Sequence, residues 1–209
     1  MTHARPLSFL DSAWLQGWSD LGLTPPEGLL ASLLQAHEEP QRRYHTGQHL
    51  TECLQHFESA RGLAVHPGEV AIALWFHDAI YDVRGQHNER RSADWAAQAL
   101  RAAGASGDTV RRVEGLIMAT CHDAAPVEAD ACLLVDIDLA ILGASPTRFA
   151  EYDKQIREEY GWVPGVIYRM KRRSVLAAFL ARDHVYNTPH FRQRLESQAR
   201  VNLRGACQA

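Results

Sequence analysis

Residues 70–81 read VAIALWFHDAIY, seven consecutive apolar residues running into an adjacent histidine and aspartate. A helix built on such a run has no polar face to offer water, so other elements must cover it nearly all round. A carboxylate placed there is costly unless it is paired or bound to a cation. No lysine or arginine lies within a turn of Asp78 to neutralise it. The segment therefore demands either a charge partner from elsewhere in the fold or a metal ion.

The rest of the chain supplies the cover and reads as helix. Phe9, Leu10, Trp14, Leu15 and Trp18 form an apolar stripe over 8–18. TPPEGLLASLLQAHEE opens with a threonine and two prolines, good chemistry for a helix start. A helix is expected from about His45 to Arg61 with Leu50, Cys53, Leu54 and Phe57 inward, and another from Pro67 through Tyr81. After a loop at 82–88, Gly104 ends an alanine-rich helix. Helical patterns follow at 107–122, 130–143, 145–161, 164–182 and 189–204. No strand alternation persists, and no repeat or linker interrupts the pattern. The 209 residues suit one domain. The expectation is a single all-α bundle of about nine helices over 1–209, its core at about 40–183. Helices in 8–39 and 189–204 pack on that core.

Composition narrows the function classes. A formal net charge of −3, with arginines spread along the whole length, offers no nucleic-acid surface. Four cysteines far apart, without a CxxC pair, argue against a thiolate zinc site and a disulfide framework. The opening MTHARPLSFLDSAW lacks the apolar centre of a secretory signal, and no apolar run approaches the ~20 residues that cross a bilayer. A cytoplasmic protein with reduced thiols and no membrane partner is expected.

Histidine is the outlier, with 11 copies. On a helix His45 and His49 share a face, and the company of Cys53 and Phe57 turns at least His49 inward. Asp136 and Asp138 interrupt the apolar run CLLVDIDLAIL. Two apart, they point in directions about 200° apart, so one acid is a ligand candidate while the other caps a neighbour or braces a histidine. His122 closes a further apolar helix. Three separate apolar helices thus carry imidazole or carboxylate, and a single divalent cation offsets all three costs at once.

These motifs have a likeness. His49, then His77-Asp78, then an aspartate in VDIDLAIL resemble the ligand order of the HD superfamily of metal-dependent phosphohydrolases. RYHTGQHL, LWFHDAIYD, NERRSA, DIDLAILG and YDKQIREEY together resemble most closely a bacterial family of predicted HD-type phosphohydrolases, over about residues 40 to 204. YHTGQH and FHDAIYD are also similar to segments of class I cyclic-nucleotide phosphodiesterases, in which the first histidine donates a proton and the second binds metal. Carried over residue by residue, the resemblance implies His45 as general acid and His49, His77, Asp78 and Asp138 as ligands, with Asp136 the lesser choice. Tyr81 stands where those phosphodiesterases have a further histidine, and their purine-gripping glutamine has no counterpart here.

The resemblance implies an HD-like bundle holding one divalent ion, with Mn²⁺, Fe²⁺, Ni²⁺, Mg²⁺ and Zn²⁺ not distinguished. The implied activity is phosphohydrolysis of a small phosphorylated metabolite or nucleotide through a metal-activated water, with His45 protonating the leaving oxygen. His122 is the candidate for a second ion, and Glu89 for holding the water. Arg42 and Arg43 could grip phosphate, though solvated arginines are the plainer reading; Lys171, Arg172 and Arg173 read as a solvated basic face. Two other functions compete: oxidation at a di-iron centre, and a non-catalytic, metal-containing ligand-binding module. Self-association stays open.

Overall fold

The computed structural model describes residues 8–122 and 124–208, so the reading of the first seven residues lies outside it. Among the described residues there are ten α-helices, three short 3-10 turns and no strand. Ten replaces the expected nine. In chain order they are α1 (Phe9–Asp20), α2 (Leu29–His37), α3 (Gly47–Ala60), α4 (Pro67–Phe76) and α5 (Asn88–Ala102), then α6 (Gly107–Met118), α7 (Ala129–Asp138), α8 (Pro146–Glu159), α9 (Gly165–Leu180) and α10 (Pro189–Gln208).

Helix α4 is the axis of the bundle. Pro67 starts it, and every residue from Val70 to Phe76 is at most 1% exposed. α1, α3, α5, α6 and α7 enclose it, as an all-round apolar helix requires. On the α1 side, Trp14 meets Trp75 edge to face at 5.0 Å. Gly17 lets the two backbones approach: a Cβ there would stand 3.1 Å from that of Ala71. Ser8 caps α1 through a reciprocal pair with Asp11.

Three helix ends differ from the sequence reading, and all three position the site. α4 stops at Phe76 instead of running to Tyr81. The carbonyls of Asp78 and Ala79 turn to the guanidinium of Arg42, at 2.7 and 3.0 Å, instead of continuing a helical ladder. α3 starts at Gly47, where Thr46 caps the amide of Gln48, so His45 precedes the helix. α7 ends at Asp138 and tightens into a 3-10 turn over Leu139–Gly143. There α10 packs so closely that a Cβ on Gly143 would stand 2.6 Å from that of Leu195. Only Leu176 and Phe179 of α9 are buried; it lies against α10 with Val166 and Met170 in solvent. No helix among the described residues is long and apolar enough to cross a membrane.

Candidate metal centre

Four side chains from three element ends point at one spot. His49, in the first turn of α3, is 3% exposed and faces inward. His77 caps the end of α4 and is 2% exposed. Its Nδ1 donates to the carbonyl of Leu74 at 2.8 Å, since a carbonyl only accepts, and Nε2 is the nitrogen left to face the cluster. Asp78 follows, its backbone pinned by Arg42. Asp138 closes α7.

Nε2 of His49 stands 3.4 Å from Nε2 of His77, 3.2 Å from Oδ1 of Asp138 and 3.5 Å from Oδ2 of Asp78. Nε2 of His77 stands 3.1 Å from Oδ2 of Asp78 and 3.6 Å from Oδ1 of Asp138. Donors sharing one ion at bonds of ~2.0–2.2 Å stand roughly 3.0–3.5 Å apart, which matches this spacing. Cys53, one turn beyond His49, joins the neighbourhood: His49, Cys53, His77 and Asp138 form a buried group, donor atoms within 4.8 Å of one another, that could hold a metal ion. The sulfur lies 3.7 Å from Nδ1 and 3.7 Å from Nε2 of His49. Equal distances set it on the plane that bisects the two ring nitrogens, off the axis of the Nε2 lone pair.

The local field favours a cation. Burial by itself would raise the Asp78 carboxyl, yet the imidazoles of His77, His45 and His49 hold it far below the usual carboxylate range. Burial works against charging His77, yet Asp78 and Asp138 hold its pKa well above that of an ordinary histidine. Burial raises the Cys53 thiol well above its usual value, with Asp138 and Asp78 adding to it.

Beside this cluster stands His45, its ring 5.9 Å from that of His49. Its Nδ1 meets Oε2 of Glu159 at 2.8 Å, and its ring lies 4.1 Å from that of Tyr81. Burial would lower the His45 pKa, but Asp78 and the bond to Glu159 raise it above the ordinary value. Glu159 is itself locked in place: Oε1 accepts the amides of Arg43, Tyr44 and His45, and Oε2 the hydroxyl of Tyr81. Although burial opposes ionisation, these donors bring its carboxyl down to about 2, His45 foremost. Sequence reasoning missed Glu159. Its signal was there, because Phe149, Tyr152, Ile156 and Glu159 continue one buried stripe of α8.

The remaining candidates divide. His122 joins the cluster through Nε2, 3.0 Å from Oδ2 of Asp138. Asp136 does not: its oxygens accept the amides of Asn187 and Thr188 and both their side chains. Arg42 is no surface phosphate grip, being 3% exposed with its guanidinium spent on the carbonyls of His45, Asp78 and Ala79 and on Glu39. Arg43 donates to the carbonyls of Pro40 and Arg42. Glu89 sits in the first turn of α5, its charge felt at Tyr160. Arg172 departs from the expected solvated face: its side chain is 14% exposed and, with Lys171, lines a cavity of about 980 Å³ that reaches His45, His122 and Asp138.

No protein-family model matches the chain, and neither does any curated protein or solved structure.

Proposed function

We propose that this protein is a metal-dependent phosphohydrolase of HD type, cleaving a phosphoester of a small metabolite or nucleotide. One observation carries the reading. A histidine held at Nδ1 by a buried carboxylate stands beside a four-donor convergence and lines a cavity large enough for a metabolite. A structural ion has no use for a proton donor at its side, which sets aside a purely structural metal. The likeness of the motifs to the HD superfamily supports the same chemistry.

The ligands in this reading are His49, His77, Asp78 and Asp138. Asp78 is preferred to Cys53 because its oxygen approaches both ligating nitrogens, whereas the sulfur stands off the lone-pair axis of His49. Two imidazoles and two carboxylates form a mixed, fairly hard set that suits a divalent ion of the first transition row or Mg²⁺. Such an ion supplies Lewis acidity toward water and the phosphoryl oxygens. His45 holds a proton for the leaving oxygen; Glu159 occupies Nδ1, so Nε2 is the nitrogen that delivers it. Tyr81 stacks on the ring and steadies its angle. His122 braces Asp138 from the far oxygen. No disulfide joins the four cysteines, which supports the cytoplasm as the compartment.

The test is a panel of phosphoesters (nucleotides, phosphosugars, p-nitrophenyl esters), each assayed with Mn²⁺, Fe²⁺, Ni²⁺, Mg²⁺ and Zn²⁺. Metal-dependent phosphate release is expected, lost in His45→Ala with the metal retained. Failure of every ester with every metal, or oxygen consumption at two bound irons, overturns the reading.

A further inference from the structure

The cavity of about 980 Å³ is far larger than a phosphate group needs and sits at the upper end of the range for small-molecule sites. Tyr160, Trp162, Tyr168 and Phe179 give it broad aromatic walls. Its charges are one-sided: Arg84, Lys171 and Arg172 line it, and the single carboxylate among the lining residues is Asp138, a member of the metal-ligand cluster. Arg84 is already stacked on Trp162, 5.2 Å above the ring centre. Lys171 and Arg172 are left as the cationic end.

That end connects to the cluster through a succession of ring contacts. The guanidinium of Arg172 lies 4.9 Å over the ring of Tyr152, which touches Tyr44 at 4.6 Å, which in turn touches His49 at 4.6 Å. Two tyrosine rings thus stand in sequence between the guanidinium and His49, along a cavity far larger than one phosphate fills. Asp153 takes the Nε edge of Arg172 at 3.1 Å, but Nη2 has no hydrogen-bond partner among the described residues, nor does the neighbouring hydroxyl of Tyr168. Buried donors of this kind are normally paired, and both residues line the cavity.

We infer that the cavity takes a phosphoester with a long, largely apolar leaving group tipped by a second anionic group, held by Lys171 and Arg172. The inference rests on the phosphohydrolase reading for the end at which the phosphate sits. Lys171 and Arg172 are specificity residues, distant from the bond that breaks. A guanidinium suits this role, since it presents donors to an oxyanion in a fixed plane.

Non-hydrolysable phosphonates test it by binding. Isothermal titration of the Mn²⁺-supplied protein compares alkylphosphonates with ω-carboxyalkylphosphonates of the same length, from short chains to long. At one matched length the added carboxylate should tighten binding by about tenfold or more. Lys171→Met and Arg172→Met should erase that gain and leave plain alkylphosphonates unchanged, while Arg172→Lys keeps part of it. Lys171 is exposed, so its variant stays informative even if the loss of Arg172 disturbs folding. No gain at any length, or a full gain in both methionine variants, overturns the inference. Phosphate release from the ester panel without the gain defeats this inference alone. The gain without hydrolysis of any ester defeats the phosphohydrolase reading and leaves the distal anion site standing.

Discussion

Oε2 of Glu159 lies 2.8 Å from Nδ1 of His45, across 114 residues of sequence. The end of α8 thereby reaches back to the turn before α3 and holds the imidazole whose ring stands 5.9 Å from that of His49. With its carboxyl at about 2, Glu159 is ionised throughout the working range.

Glu159→Gln should therefore shift the pH profile of phosphate release. A rate that needs the His45 proton is full below the raised pKa and falls as pH climbs through it. Removing the carboxylate lowers that pKa, so the alkaline fall should begin at lower pH, with kcat down by ~10²-fold and metal content unchanged. An unmoved alkaline limb would show that His45 is not the proton donor.

The two acids of the DID triplet should part cleanly. Asp138→Ala removes an oxygen from the cluster and should yield folded protein without metal. Asp136→Ala strips the amides of Asn187 and Thr188 of their acceptor and should cost ~2–4 kcal/mol of stability with metal retained. Elemental analysis beside thermal melts distinguishes them; the reverse pattern would reassign the ligand.

Sulfur and oxygen compete for one place, and two substitutions decide between them. Asp78→Ala should empty the site, and Cys53→Ala should leave its metal content near that of the parent. Loss of the ion from the cysteine variant instead would make the thiolate a ligand and move the expected metal toward softer ions.

Arg42→Met should act on folding. Its guanidinium is buried among three carbonyls that would lose their donor, at a cost of ~3–5 kcal/mol in denaturant unfolding. A raised KM at unchanged stability would restore it as a substrate contact.

How much of this the sequence revealed depends on the range of the interaction. The burial of α4 was legible because seven apolar residues leave no alternative, and the anomaly of His77 and Asp78 followed from it. The position of His45 was misread as helical, although Thr46-Gly47 is an ordinary capping pair, because the i,i+4 spacing to His49 was the louder pattern. The occupation of Asp136 was not legible: its donors are amides some fifty residues away, set by how α10 begins. Glu159 was legible in hindsight from its stripe on α8, but its partner amides lie on a turn whose shape no local pattern dictates.

Both α4 and α7 reach the candidate centre with their carboxyl-terminal ends. The aligned peptide dipoles of a helix leave about half a negative charge at such an end. Two of them, added to two carboxylates and set against the amino-terminal end of α3 at His49, leave a spot that draws cations. Under the proposed phosphohydrolase chemistry, metal should therefore load before phosphate, and protein stripped by chelation should lose its hold on the reacting end of the substrate.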